Sequence, residues 1–210
     1  MTVLTIRKGT IKQRIQADGK PWDTAIVKTA VAGPVSISAT GIDGDQQADR
    51  EHHGGVDKAI LLYCRDHYRL WRQEYATAAP PEGSLGENLE VSGLSEESVC
   101  IGDIHVCRGV RLEVSQPRQP CWKPAVLHSL PDLTARMLKS GRIGWYVRVL
   151  QGGFIEAPAI WELVSRPNPQ WTVQRSSFVR HFSRDSAEIA SLSSLKALSA
   201  VWRGALAGRR

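Results

Sequence analysis

No apolar run in this sequence approaches the roughly 20 residues needed to cross a bilayer, so nothing in it reads as a membrane span. The first residues, MTVLTIRKGTIKQR, lack the charged start, long apolar stretch and small-residue cleavage site of a secretory signal. A cytoplasmic location is expected. Cysteine is scarce: the four are Cys64, Cys100, Cys107 and Cys121. None forms a C-x-x-C pair, which argues against a zinc knuckle or a thioredoxin-like site, and in a reducing compartment all four should be free thiols. The Asp-x-x-His-His stretch ending at His53 is a poor zinc pattern, because its spacing does not set three ligands on one side. Flavin and nicotinamide fingerprints, cluster-ligand cysteines, internal repeats and low-complexity segments are also missing.

What remains is ordinary for a globular chain. The 210 residues, 42% hydrophobic and 23% charged, can bury a sizeable core and fit one full domain plus a small appendage. The net charge of +6 is uneven. From Arg166 onward eight basic residues stand against two acidic ones, and the rest of the chain is balanced. A basic tail can bind nucleic acid, but it is more often a solvated helical face. Nucleic acid is therefore not the expected partner.

Short β-branched stretches separated by Gly and Pro read as strands: residues 3–7, 25–28 and 35–37. The continuous apolar run 59–63 has the length of a buried strand. It leads into an expected helix over 66–75, where Tyr68, Trp71 and Tyr75 share one face. Those aromatics are expected to pack a core. More strands follow around 88–91, 104–107 and 111–115, then a helix over 133–140 and strands over 145–150 and 159–164. Short strands with few intervening helices predict a mostly β barrel or strongly bent sheet. At Arg166 the composition changes. The stretch RPNPQ reads as a linker, and helices are expected over 173–181, 186–192 and 194–205. The predicted organisation is a β domain over 1–165 and a three-helix extension over 166–210.

Three clusters carry possible chemistry. Residues 41–63, GIDGDQQADREHHGGVDKAILLY, place Arg50, His52, His53, Gly54, Gly55 and Lys58 in a turn-rich stretch before a buried strand. Glycines let backbone N–H groups approach a ligand, and with basic neighbours they suit an anion cradle. A polar loop closing the barrel is the competing reading. In an extended chain the two histidines point to opposite sides, so at most one need face a site. Residues 84–94, SLGENLEVSGL, carry Asn88, whose amide could both donate to and accept from a pterin or purine edge; a turn-stabilising Asn is the commoner case. Residues 114–125, VSQPRQPCWKPA, hold Cys121 between Arg118 and Lys123 in a loop stiffened by three prolines. Neighbouring cations favour the thiolate, the form that ligates metals and attacks as a nucleophile. Cys64, Cys100 and Cys107, beside or within strands, are expected to be packing residues.

Taken together, GIDGDQQADREHHGGVDKA, GSLGENL, CIGD, VSQPRQPCWK and SGRIGWYVRVL resemble the MOSC domain, shared by molybdenum cofactor sulfurase C-termini and amidoxime-reducing proteins. The likeness is greatest to the bacterial stand-alone type linked to resistance against N-hydroxylated purine bases, including its three-helix extension. The resemblance implies a MOSC-type β-barrel with a few peripheral helices and a pocket for the pterin-based molybdenum cofactor (molybdopterin). It places the family's motif cysteine on Cys121, as metal ligand and catalytic thiolate. Arg50, Lys58, Arg118, Lys123 and Arg142 would be the basic residues near the cofactor's phosphate, with the Gly54–Gly55 turn and Asn88 completing the binding set. His53 or His52 could supply protons, since histidine titrates near neutrality. The implied activity is reduction of small N-hydroxylated substrates with electrons from a separate flavin or haem protein. The alternative is a non-catalytic carrier of the cofactor or of sulfur using the same cysteine. The oligomeric state is left open.

Overall fold

The computed structural model describes residues 1–209, apart from the side chain of Arg50. Its strands are β1 (Thr2–Lys8), β2 (Lys12–Ile15), β3 (Pro21–Thr24), β4 (Thr29–Ala30), β5 (Val35–Ser38), β6 (Gly41–Ile42), β7 (Ile60–Cys64), β8 (Leu89–Ser92), β9 (Ile104–Cys107), β10 (Val110–Pro117), β11 (Trp145–Gln151), β12 (Gly153–Ile155), β13 (Ala159–Ile160) and β14 (Glu162–Ser165). Its helices are α1 (Arg50–His53), α2 (Asp66–Tyr75), α3 (Lys123–Leu127), α4 (Leu133–Ser140), α5 (Val173–His181), α6 (Ser186–Ser193) and α7 (Ala200–Ala207). Among the described residues no helix is long and apolar enough to cross a membrane.

The main sheet runs β13-β1-β8-β7-β11-β10-β9-β14, with β4 pairing the far end of β1, and it curls into a half-barrel. The mostly β expectation holds. Only the β7–β8 pair of this sheet is parallel among the described strands. β7 lies in the middle and is buried at all five residues, which explains its unbroken apolar run. The expected strand over 159–164 is two strands. β13 pairs with β1 and β14 with β9, at opposite edges of the sheet. The break between them is Trp161, which is 1% exposed. Turning this ring into the core bends the chain, so one segment borders both edges of the curl.

Two further expectations fail for local reasons. Residues 25–28 form a loop: Thr24 Oγ1 accepts the Ile26 N–H at 3.1 Å, Lys28 N–H donates to Gly83 O at 2.6 Å, and Lys28 Nζ is ion-paired to buried Asp45. These polar demands override the strand propensity of Ile26 and Val27. The last helix starts at Ala200, not at Ser194, because the Ser199 hydroxyl accepts the Trp202 N–H and caps it there. The β2–β3 hairpin was not foreseen. Its turn at Asp18–Gly19 is a hairpin signal, with Gly19 at φ +82°, but strands as polar as KQRI show no apolar alternation.

The core has two parts. The larger lies inside the curl and gathers Val3, Ile6, Leu62, Leu112 and Val147 with Trp161. Trp171, Val173, Val179, Ile189, Leu192, Leu198, Trp202 and Leu206 of the C-terminal helical region belong to the same cluster. The tail is also tied by hydrogen bonds: Ile101 N–H donates to Trp171 O at 2.9 Å, Val173 N–H to Val99 O at 2.8 Å, and Ser199 N–H to Ser115 O at 3.0 Å. Arg166 grips buried Asp103 through both nitrogens at 2.9 and 2.6 Å. The smaller core contains Tyr63, Tyr68, Trp71, Leu133 and Met137, so the aromatic face of α2 packs as expected.

His105 on β9 is 3% exposed, and its Nε2 lacks a partner. Burial first, then the N-terminal amine and Arg166, push its pKa down to about 4 from 6.5, against the pull of Asp103. The unfolded chain therefore takes up a proton before the folded one. This group's contribution to stability is complete above about pH 6.5 and is lost as the pH falls toward 4. We expect His105→Leu to lose less melting temperature than the parent between pH 7 and pH 5, measured by circular dichroism. An unchanged difference would contradict this assignment.

Candidate functional site

The Cys121 loop leaves the end of β10 and is held at both sides. Arg118 N–H donates to Gly144 O at 3.0 Å, and the Cys121 carbonyl accepts the Thr134 hydroxyl at 3.0 Å. Pro117 and Pro120 limit the backbone between them. Facing this loop is α1, whose N-cap Asp49 accepts the His52 N–H at 2.9 Å. Gly55, at φ +95°, turns the chain out of α1, and Lys58 Nζ reaches back to His52 O at 2.6 Å.

A two-lobed cleft opens between these elements. The inner lobe lies over the sheet and is bordered by Lys28, Leu61, Leu85, Asn88 and Arg118. The outer lobe is bordered by His52, Gln116, Gln119, Trp122, Val201 and Trp202. Asp49, His53, Lys58, Cys121, Lys123 and Tyr146 line both. Half-buried Cys121 therefore stands at the junction.

The inner lobe is electropositive. Arg118 is 4% exposed, its Nη1 has no hydrogen-bond partner, and it has no carboxylate partner among the described residues. An unpaired buried guanidinium is costly, and an anion in the lobe would relieve that cost. Lys123 Nζ donates to a carbonyl, Asp23 O, at 3.2 Å and lies over the Trp22 ring. Lys28 is neutralised by Asp45, and burial still lowers its pKa. Burial also lowers Lys58. His53 is pushed down to about 4, by burial first and then by Arg118, with Lys123 and Lys58 adding. At neutral pH its imidazole is uncharged. Tyr146 is raised by burial and keeps its hydroxyl proton. Among the described residues no three His, Cys, Asp or Glu side chains gather to hold a metal, so a metal here would need most of its ligands from a bound group.

The family model described as the MOSC domain matches residues 49–158, a stretch that contains Cys121 and its facing helix. This chain belongs to the MOSC family. It is 35% identical over 201 residues to Protein YiiM of Escherichia coli (strain K12), covering 94% of this chain and 89% of that one. A solved YiiM structure from Geobacillus stearothermophilus superposes with TM-score 0.82 at 35% identity, covering 99% and 97% of the two chains. A protein named "Reductase" from Gibberella moniliformis (strain M3125 / FGSC 7600) is 42% identical over 178 residues, 81% of this chain but 30% of its own length.

Within this MOSC cleft the structure brings together Cys121, His53, Lys58, Arg118 and Lys123. Contrary to an extended geometry, His52 and His53 lie on one helical turn. His53 faces both lobes, while His52 stands exposed at the outer rim with Nδ1 3.1 Å from Asp49. The side chain of Arg50 lies outside the described residues. Gly54 and Gly55 shape the turn without lining either lobe. Asn88 borders the inner lobe, but its amide is taken up by the fold. Nδ2 donates to Asp45 at 2.9 Å and Arg7 O at 3.3 Å, and Oδ1 accepts the Leu61 N–H at 3.2 Å. It positions Asp45 and β7 and has no free donor for a pterin edge. Arg142 does not border the cleft. It pairs with Glu74 at 2.5 Å and stacks on Trp71 at 3.7 Å, on another face of the molecule.

Three residues line the site without a clear sequence signal, and a fourth, Arg180, braces its edge. Lys28 arrives on the loop that replaced an expected strand. Tyr146 and Gln116 sit opposite each other on β11 and β10. Arg180 comes from the tail, where it stacks on Trp202 at 4.4 Å and donates to Gln119 on the cysteine loop at 3.1 Å. A lysine ending an apolar run (AIVK) was the one legible signal among them.

Proposed function

We propose that this protein holds the pterin-based molybdenum cofactor in the inner lobe, with the Cys121 thiolate on the metal, and reduces N-hydroxylated compounds such as N-hydroxylated purine bases. The observation that carries the reading is Arg118, a buried, unpaired guanidinium beside a half-buried thiol. Arg118, Lys123 and Lys58 would hold the cofactor's phosphate, which matches a charge-assisted contact to a cation left without a partner. When bound, the cofactor supplies a metal centre that exchanges two electrons and accepts oxygen, tuned by the soft thiolate.

The chain's own residues do the rest. The loop prolines and the Thr134 bond fix the sulfur at the junction of the lobes. Tyr146, protonated at neutral pH, and His53, uncharged, are the hydrogen-bonding groups beside it. Conversion of R–NHOH with two electrons and two protons gives R–NH2 and water. The electrons come from a separate flavin or haem protein. Similarity to one stretch of a longer protein named "Reductase" supports redox chemistry. The outer lobe favours an enzyme over a carrier, because it leaves room for a second molecule against the thiol.

The experiment is turnover of an N-hydroxylated purine with a chemical electron donor, using protein from a host that makes the cofactor. Molybdenum-replete protein should reduce it, and the same chain from a cofactor-deficient host should not. Equal rates from both would overturn the proposal.

A further inference from the structure

Gln116 is a buried polar residue of the outer lobe that the mechanism above leaves unused. Its position comes from a fault in the sheet. Val114 pairs with Val147, but Gln116 pairs with Tyr146, so β10 advances two residues while β11 advances one. Ser115 is the extra residue, and its hydroxyl donates to Asp57 O at 2.5 Å and lies 3.0 Å from Tyr146 O. In a regular strand Gln116 would share the core face with Val114. The bulge turns it to the other face, beside Tyr146 and into the outer lobe.

There the amide is 2% exposed, and its Oε1 has no hydrogen-bond partner; Nε2 makes one long bond, 3.4 Å, to Pro117 O. A buried carbonyl with nothing to accept carries a cost that a donor on a bound ligand would relieve. The same lobe presents the Trp122 ring, 46% exposed and tilted against Trp22 at 5.1 Å, and the exposed Val201 side chain. Charged and polar groups, Asp49, Glu51, Gln119 and Lys123 among them, line the rest of the lobe; a buried acceptor beside an exposed indole fits a flat ring that carries an N–H donor.

We propose that the outer lobe is the substrate subsite, that it takes a planar nitrogen heterocycle against Trp122, and that Gln116 Oε1 selects it by accepting its exocyclic N–H. This rests on the reductase reading for the chemistry, since it places that N–H, with its hydroxyl, next to Cys121.

The probes are N6-hydroxyadenine and its N6-methyl derivative, which keeps the hydroxyl but has no exocyclic N–H. Binding is read by tryptophan fluorescence on cofactor-free protein, and KM and kcat on loaded protein. The parent should bind N6-hydroxyadenine at least about tenfold more tightly than the methylated ring. Gln116→Leu should lose that preference and raise KM by a similar factor, with molybdenum content unchanged and kcat within a few-fold. Gln116→Glu, which keeps an acceptor, should retain most of the preference. Equal binding of the two rings by the parent, or a folded Gln116→Leu that still discriminates, would overturn the assignment. If Gln116→Leu fails to fold, the parent's discrimination and the Glu variant decide it. Absence of turnover with discrimination intact would count against the reductase reading and leave this subsite standing.

Discussion

Arg118→Met should melt at a higher temperature than the parent when both are free of cofactor, yet hold the cofactor far less well. Arg118 sits 4% exposed, with one nitrogen unbonded and no carboxylate beside it. Replacing buried ionic groups by apolar side chains of similar volume is often neutral or stabilising by about 1–4 kcal/mol even where the charges are paired. For a chain of this length each kcal/mol corresponds to roughly 2–4 °C. The bound state responds in the opposite sense. Losing a hydrogen bond to a charged group costs about 1.5–3 kcal/mol, roughly a 10- to 150-fold weaker hold on an anionic ligand. Thermal scanning of cofactor-free protein and cofactor release during gel filtration check the two halves separately. A variant that melts lower and keeps its cofactor would make Arg118 a structural residue.

A chain ending at Ser165 should not reach a stable fold. Eight large apolar side chains beyond that point, from Trp171 to Leu206, are buried in the same cluster as the half-barrel. Burial of one such side chain contributes about 1.5–3 kcal/mol, and the whole of a domain's net stability is about 5–15 kcal/mol. Removing all eight takes away an amount as large as that margin or larger, before the Arg166–Asp103 pair and the hydrogen bonds from Ile101 and Ser199 are counted. The expected result is insoluble protein, or soluble protein without a cooperative melt. A truncated chain that melts as sharply as the full one would show the helices to be an independent appendage. The truncation would also strip Val201 and Trp202 from the outer lobe, so the tail shapes the site as well as the core.

These two cases mark what local sequence reveals. The Cys121 loop was legible because its meaning is local: prolines stiffen it, and Arg118 and Lys123 flank the thiol whatever the rest of the chain does. The aromatic face of α2 and the helical nature of the tail were legible from spacing alone. Which partner each would pack against was not. Asn88 was read as a ligand group because its own partners, Asp45, Leu61 and Arg7, lie 27 to 81 residues away. Arg142 belongs to a stretch that resembles the family, but Glu74 and Trp71 on α2 hold its guanidinium away from the cleft. Gln116 could not be read at all, since a single bulge at Ser115 reverses which face it occupies. The tail's surplus charge reads as a solvated helical face, and spacing does not show which of its arginines are tied down. Arg166 and Arg175 instead pair with Asp103 and Glu188, and Arg209 donates to the carbonyls of Val179 and Ser183.

The molybdenum content of Cys121→Ala, set against the parent chain from the same cofactor-producing host, tests the central claim most directly. Cys121 is half-buried on a loop, and its backbone carbonyl, not its sulfur, makes the bond to Thr134, so the variant should fold and melt like the parent. The parent is expected to carry close to equimolar molybdenum and the variant almost none. A folded Cys121→Ala that retains the parent's molybdenum would contradict the account.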